Sequence, residues 1–139
     1  MRRLLETEAA RLGSQQVTAE DCDKMQAGYE LMRAAIAERR VIALLDHDEA
    51  MLAILHEAAA NPVLVQMIRT LWQHCRTYKI VGARAWLDDA GDDSLWRYQQ
   101  DLITAARGND ADAAASLNTA SLLDASERIK ARLAAQAAG

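Results

Sequence analysis

The stretch Val41-Ile42-Ala43-Leu44-Leu45-Asp46-His47-Asp48-Glu49-Ala50-Met51-Leu52-Ala53-Ile54-Leu55 decides the fold. Val41, Leu44, Leu45, Met51, Leu52 and Leu55 recur in steps of three and four, the spacing of one helix face, with Asp48 as a polar intruder. The same phase extends in both directions. Upstream lie Cys22, Met25, Tyr29, Met32 and Ile36; downstream lie Leu64, Met67, Ile68, Leu71, Cys75 and Tyr78, then Leu95, Gln99, Leu102, Ile103 and Ala106. One proline, six glycines and no phenylalanine, among abundant Ala, Leu, Glu, Arg and Gln, favour helix over strand. Punctuation marks the boundaries. Thr18 with Asp21 forms a capping-box pattern, Asn61-Pro62 an N-cap followed by a first-turn proline, Ser94 a further cap, and Gly108-Asn109-Asp110 a C-terminal glycine, turn and cap. Helices are expected at about 1–14, 19–38, 41–60, 62–86, 94–107 and 110–136. Connections this short make neighbours antiparallel, so the expected fold is an all-α antiparallel bundle of about six helices.

At 139 residues the chain is one domain, 1–139, long enough to bury a substantial core. With 51% hydrophobic and 26% charged residues it is not a disordered chain. No apolar run suits a membrane span or a signal peptide, and Cys22 and Cys75 make no disulfide scaffold, so a cytoplasmic protein is expected. A net charge of −4 argues against this chain gripping nucleic acid. Leu4, Leu5, Glu8 and Leu12 already run in helical phase with nothing before Arg2 to cap them, which suggests a chain cut from something longer. The small residues from Ala134 to Gly139 are expected to fray.

Asp48 is the most informative polar residue, because every neighbour on its stripe is apolar. Either its carboxylate points into the bundle, where it needs a partner, a metal or a proton, or it reaches solvent from the helix edge. Gln99 and Ser121 hold comparable places on later helices, as satisfied core groups or as ligand contacts. His47 and His56 fall one residue off the stripe and are expected to be solvated; His74 borders an inner face beside Trp72 and Cys75. No histidine pair is spaced by four and no Cys-x-x-Cys occurs, so no histidine-built metal site is expected. The acidic loop 88–93 departs from a calcium loop in its glycine position and closing residue, and reads as a solvated turn. No phosphate cradle, nucleophile elbow or nucleophile–base pair is present, so no enzyme is expected.

Four segments together resemble a known family. Arg2-Arg3-Leu4-Leu5-Glu6-Thr7-Glu8-Ala9-Ala10-Arg11-Leu12, Val17-Thr18-Ala19-Glu20-Asp21, His56-Glu57-Ala58-Ala59-Ala60-Asn61-Pro62-Val63-Leu64 and Ala106-Arg107-Gly108-Asn109-Asp110-Ala111-Asp112-Ala113-Ala114 follow the order and spacing of the ligand-sensing C-terminal domain of GntR-type bacterial transcription regulators, FadR subfamily. The resemblance implies a helical bundle that binds a small organic acid or related metabolite at its centre and forms a homodimer. Operator DNA would be read only through a winged-helix domain that is absent from this chain. It also implies a metal centre built by one aspartate and three histidines. Here Asp48 matches the aspartate, while the histidine positions hold Leu52, Gln99 and Ser121. Leucine cannot ligate, and amide and hydroxyl replace imidazole poorly, so no transition metal and no other cofactor is expected.

What the resemblance leaves for a ligand is Asp48, Leu52, Gln99, Ser121 and Arg2, the last matching a family arginine that pairs with an acidic effector group. Arg2 could equally be a surface residue at a frayed end. His74, with Trp72 and Arg76, supplies a candidate further wall; Met25, Met32, Met51 and Met67 read as core. The expected function is an effector-binding and dimerisation domain taking a carboxylate or a more apolar metabolite. The alternatives are a purely structural dimerisation module whose pocket has degenerated, and a small enzyme using Asp48 as acid or base.

Overall fold

The computed structural model describes residues 1–88 and 94–138, excepting the side chains of residues 94 and 95. The acidic loop beyond Asp88, the Ser94 cap, Leu95 and Gly139 therefore lie outside the described side chains, while Asp88 itself ends a helix, paired with Arg39 and Arg132. The described residues form seven helices and no strand: α1 (Arg2–Gln16), α2 (Ala19–Ala37), α3 (Val41–Glu57), α4 (Pro62–His74), α5 (Arg76–Asp88), α6 (Ser94–Arg107) and α7 (Ala111–Ala138).

The expected punctuation holds these helices. The Thr18 hydroxyl accepts from the Asp21 N–H at 3.1 Å while the Asp21 carboxylate accepts from the Thr18 N–H at 3.0 Å. Asn61 Oδ1 accepts from the Leu64 N–H at 3.1 Å, and Asp110 Oδ1 from the Ala113 N–H at 3.1 Å. At the end of α6 the left-handed residue is Asn109 (φ 51°), not the expected Gly108. Asn109 supplies something glycine lacks, a side-chain amide that donates to the carbonyls of Ser14 and Val17 and ties this turn to the α1–α2 corner.

The core forms where the stripes of α2, α3 and α6 meet. Met25, Met32, Leu44, Met51 and Leu55 are fully buried there, with Leu102 and Ile103 against them. α1 packs on α7, α3, α4 and α6, and α5 packs on α7 and α3.

Three expectations need correction. The single helix expected over 62–86 breaks at Cys75, whose backbone (φ −95°, ψ 4°) leaves the helical region. Beyond the break, Arg76 binds Asp46 and Glu49 of α3, and Lys79 binds Glu49. Met67, expected in the core, and Tyr78, expected on the same stripe, are exposed. His56, expected in solvent, is 1% exposed and stacks 5.6 Å from the Trp72 ring. Finally, α1 buries Glu6, Ala9, Ala10, Gly13 and Ser14, with Leu5 and Leu12 partly buried beside them, whereas Leu4 is exposed. Its small residues admit a close approach: a Cβ on Gly13 would stand 2.0 Å from the Leu55 carbonyl oxygen.

Candidate functional site

The bundle holds a partly open cavity of about 120 Å³ between α1, α3, α5, α6 and α7. Each helix contributes side chains because its phase turns them inward. α3 presents Leu44, Leu45, Asp48 and Leu52, and α6 presents Gln99 and Leu102. Thus Asp48, Leu52, Gln99, Ser121 and Arg2, all selected from the sequence, line one cavity. His74 does not; it is exposed at the end of α4, on the far side of the Cys75 break.

The polar lining is organised around Asp48. Gln99, 4% exposed, donates its side-chain N–H to Asp48 Oδ1. Burial pushes the Asp48 carboxyl up from 3.8 to about 6. The Lys79 ammonium and the Gln99 hydrogen bond pull the other way, and the nearby Glu49 and Glu6 add to the rise. Lys79 is itself engaged, donating to Glu49 Oε1 at 2.6 Å with its ammonium 4.5 Å from the Trp72 ring centre. From α1 the Arg2 Nε donates to Glu6 Oε2 at 2.8 Å, and Glu6 is 1% exposed. Arg128 lies 3.4 Å from Asp124.

Several lining residues were not expected: Glu6, Lys79, Trp86, Tyr98, Asn118 and Arg128. A signal existed for some of them. Asn118, Ser121, Ala125 and Arg128 follow one another in steps of three and four, so Ser121 marks a whole polar face of α7. Lys79, Gly82, Ala83 and Trp86 form an equivalent face of α5, visible only once α5 is separated from α4. Trp86 is 5% exposed, its indole N–H has no partner among the described residues, and its ring meets Trp96 edge-on at 5.8 Å.

The donor set around Asp48 does not fit a transition-metal centre. Leu52 offers no ligating atom, and the Gln99 amide turns its N–H towards Asp48, the wrong polarity for sharing a cation with it. Among the described residues, no three His, Cys, Asp or Glu side chains stand close enough to share an ion. Nor does any described helix have the length and apolarity to cross a membrane.

Comparison with known proteins bears on this arrangement in three ways. The family model of the FCD domain matches residues 1–124. Among solved structures the chain is similar to E. coli McbR/YncC, with a TM-score of 0.67 at 17% identity, covering 96% of this chain and 62% of that one. At that identity the likeness speaks for the fold, and the chain spans about three-fifths of the length of its structural neighbour. No curated protein matches.

Proposed function

This chain belongs to the FCD domain family, the C-terminal domain of GntR-type transcription regulators, and from that premise we propose that its central cavity binds a small organic acid or apolar metabolite without a transition metal. The observation that carries the reading is the convergence of Arg2, Asp48, Gln99 and Ser121, from four separate helices, on one cavity. A chain that had kept only a structural role would gain nothing from holding a carboxylate there, since burial raises its pKa and weakens the fold.

The domain acts as a sensor in the cytoplasm, not as an enzyme, and works as a homodimer. Ligand binding favours one arrangement of the bundle and shifts the population of dimer states. In a full-length regulator that shift would reposition the DNA-binding domains on operator DNA. Neither Leu52 nor Ser121 supplies an imidazole, so the effector meets protein groups directly.

A thermal-shift screen tests this against organic acids, sugar acids, amino acids and fatty acids, each with added zinc or with chelator. A ligand at a hundred times its Kd stabilises by about 2.7 kcal/mol, a shift of several degrees for a domain of this size. The expected hit is insensitive to chelator and weakened by Gln99→Ala. Melting raised by zinc and lowered by chelator would restore the metal reading. A panel with no effect on a dimeric protein would favour the degenerate structural module.

A further inference from the structure

The charges around the cavity narrow the chemistry of its occupant, an argument that rests on the sensor reading above. Three cationic side chains (Arg2, Lys79, Arg128) and three acidic ones (Glu6, Asp48, Asp124) line it, so the wall is formally neutral when all are ionised. Their pairing is uneven. Arg2 is bound to Glu6 at 2.8 Å, Lys79 to Glu49 at 2.6 Å, and Arg128 lies 3.4 Å from Asp124. Asp48 alone among the three acids has no cation within ion-pair distance among the described residues; the Gln99 amide is its one hydrogen-bond donor. A carboxylate accepts about four hydrogen bonds, and Asp48, half-buried on the cavity wall, is held by a single neutral donor, which leaves it under-satisfied. The cavity thus lacks a cationic donor at Asp48.

Arg2, on the same lining, has the opposite surplus. Arg2 binds Glu6 through Nε alone, and its two terminal nitrogens make no hydrogen bond to a described residue. That leaves the tips of a guanidinium fork, the group best shaped for a carboxylate, uncommitted on a residue that lines the cavity. A bare organic acid would serve Arg2 but add a negative charge to a wall that already holds Asp48. A bare amine would serve Asp48 and leave Arg2 unused. A net-neutral ligand with both groups answers both demands.

We propose that the effector is a short amino acid, its ammonium seated on Asp48 beside Gln99 and its carboxylate on Arg2. Size agrees. An apolar cavity of about 150 Å³ accepts benzene, so about 120 Å³ holds roughly half a dozen heavy atoms, the size of a three-carbon amino acid.

The test uses a matched three-carbon set at neutral pH: alanine, β-alanine, propionate and propylamine, titrated against the thermal melt of the intact chain and of Asp48→Asn. Asparagine keeps the shape and an acceptor for Gln99 while removing the charge, so the variant should fold, which its own melt verifies. One of the amino acids should raise the melting temperature by several degrees at saturation, well beyond propionate or propylamine. Asp48→Asn should weaken that response about tenfold or more and erase its advantage over propionate. Propionate or propylamine matching the amino acids would overturn the inference while leaving the sensor intact. So would silence from all four beside a response to another organic acid or hydrocarbon. An amino-acid response unchanged in Asp48→Asn would overturn the role of Asp48. Silence from every compound in both panels would overturn the sensor reading and this inference with it.

Discussion

Asp48 and His56 stand on the same helix and respond to acid in opposite directions. The folded state raises the Asp48 carboxyl from 3.8 to about 6 through burial, so it holds that proton more tightly than the unfolded chain does. Acidification from pH 6 towards 4 therefore stabilises the fold through Asp48. Burial, aided by the Lys79 ammonium, lowers His56 from 6.5 to about 4, so the unfolded chain takes the proton first and the same acidification destabilises. Each effect amounts to about 2–3 kcal/mol across its window, and between pH 6 and 4 the two nearly cancel. Removing one exposes the other. Asp48→Asn should melt higher than the parent at neutral pH, by about 2 kcal/mol of added stability, and should lose stability steeply between pH 6.5 and 4. Melts across pH check this; a variant that tracks the parent at every pH would mean that Asp48 is not desolvated. The two residues also differ in how visible they were. Asp48 was legible as a break in an apolar stripe, whereas His56 sits one step off that stripe and is buried in a tertiary setting that includes the Trp72 ring of the next helix.

At the scale of elements, the approach of α1 to α3 is set by one missing side chain. With Leu55 O only 2.0 Å from where a Cβ on Gly13 would stand, Gly13→Ala forces backbone against backbone. It should cost about 3 kcal/mol, the upper part of the overpacking range. Gly28 in α2 makes the contrast: a Cβ there would meet Met51 Cβ at 3.4 Å, an ordinary contact, so Gly28→Ala should stabilise by up to about 1 kcal/mol through helix propensity. Chemical denaturation of both variants reads the two signs. Helix positions and caps were legible because apolar phase and capping chemistry are local. The inner face of α1 was not, because Ala9, Ala10, Gly13 and Ser14 are small and Glu6 is charged, and hydrophobic periodicity scores such a face as outward. The Cys75 break was equally hidden. It has no proline or glycine to announce it, and the contacts that Arg76 and Lys79 make with α3 just beyond it join residues distant in sequence.

For the whole molecule, the bundle does not cover all of its apolar surface. Met1, Leu4, Val63 and Met67 are exposed, and three of them border an apolar groove between α1 and α4. Association is one way of removing such surface from water. Light scattering over a dilution series should give twice the chain mass of 15.3 kDa, and a mass of 15.3 kDa throughout would remove the dimer from the proposed function without touching the cavity. The fold class and the place of the cavity were legible at this scale, since five of the six residues selected for it line it together. The charge pairing was not, because it depends on which side chains of α5 and α7 face Asp48 and Arg2. One arrangement already described makes the protein its own optical instrument. The chain has three tryptophans and no phenylalanine. Trp86 walls the cavity and meets Trp96 edge-on at 5.8 Å, and the Arg33 guanidinium covers Trp96 at 4.5 Å. Two indoles this close couple their electronic transitions, so the near-ultraviolet circular dichroism of the pair records the angle between α5 and α6. Trp72, clasped between His56 and Lys79 outside the cavity, provides an internal reference in the same spectrum.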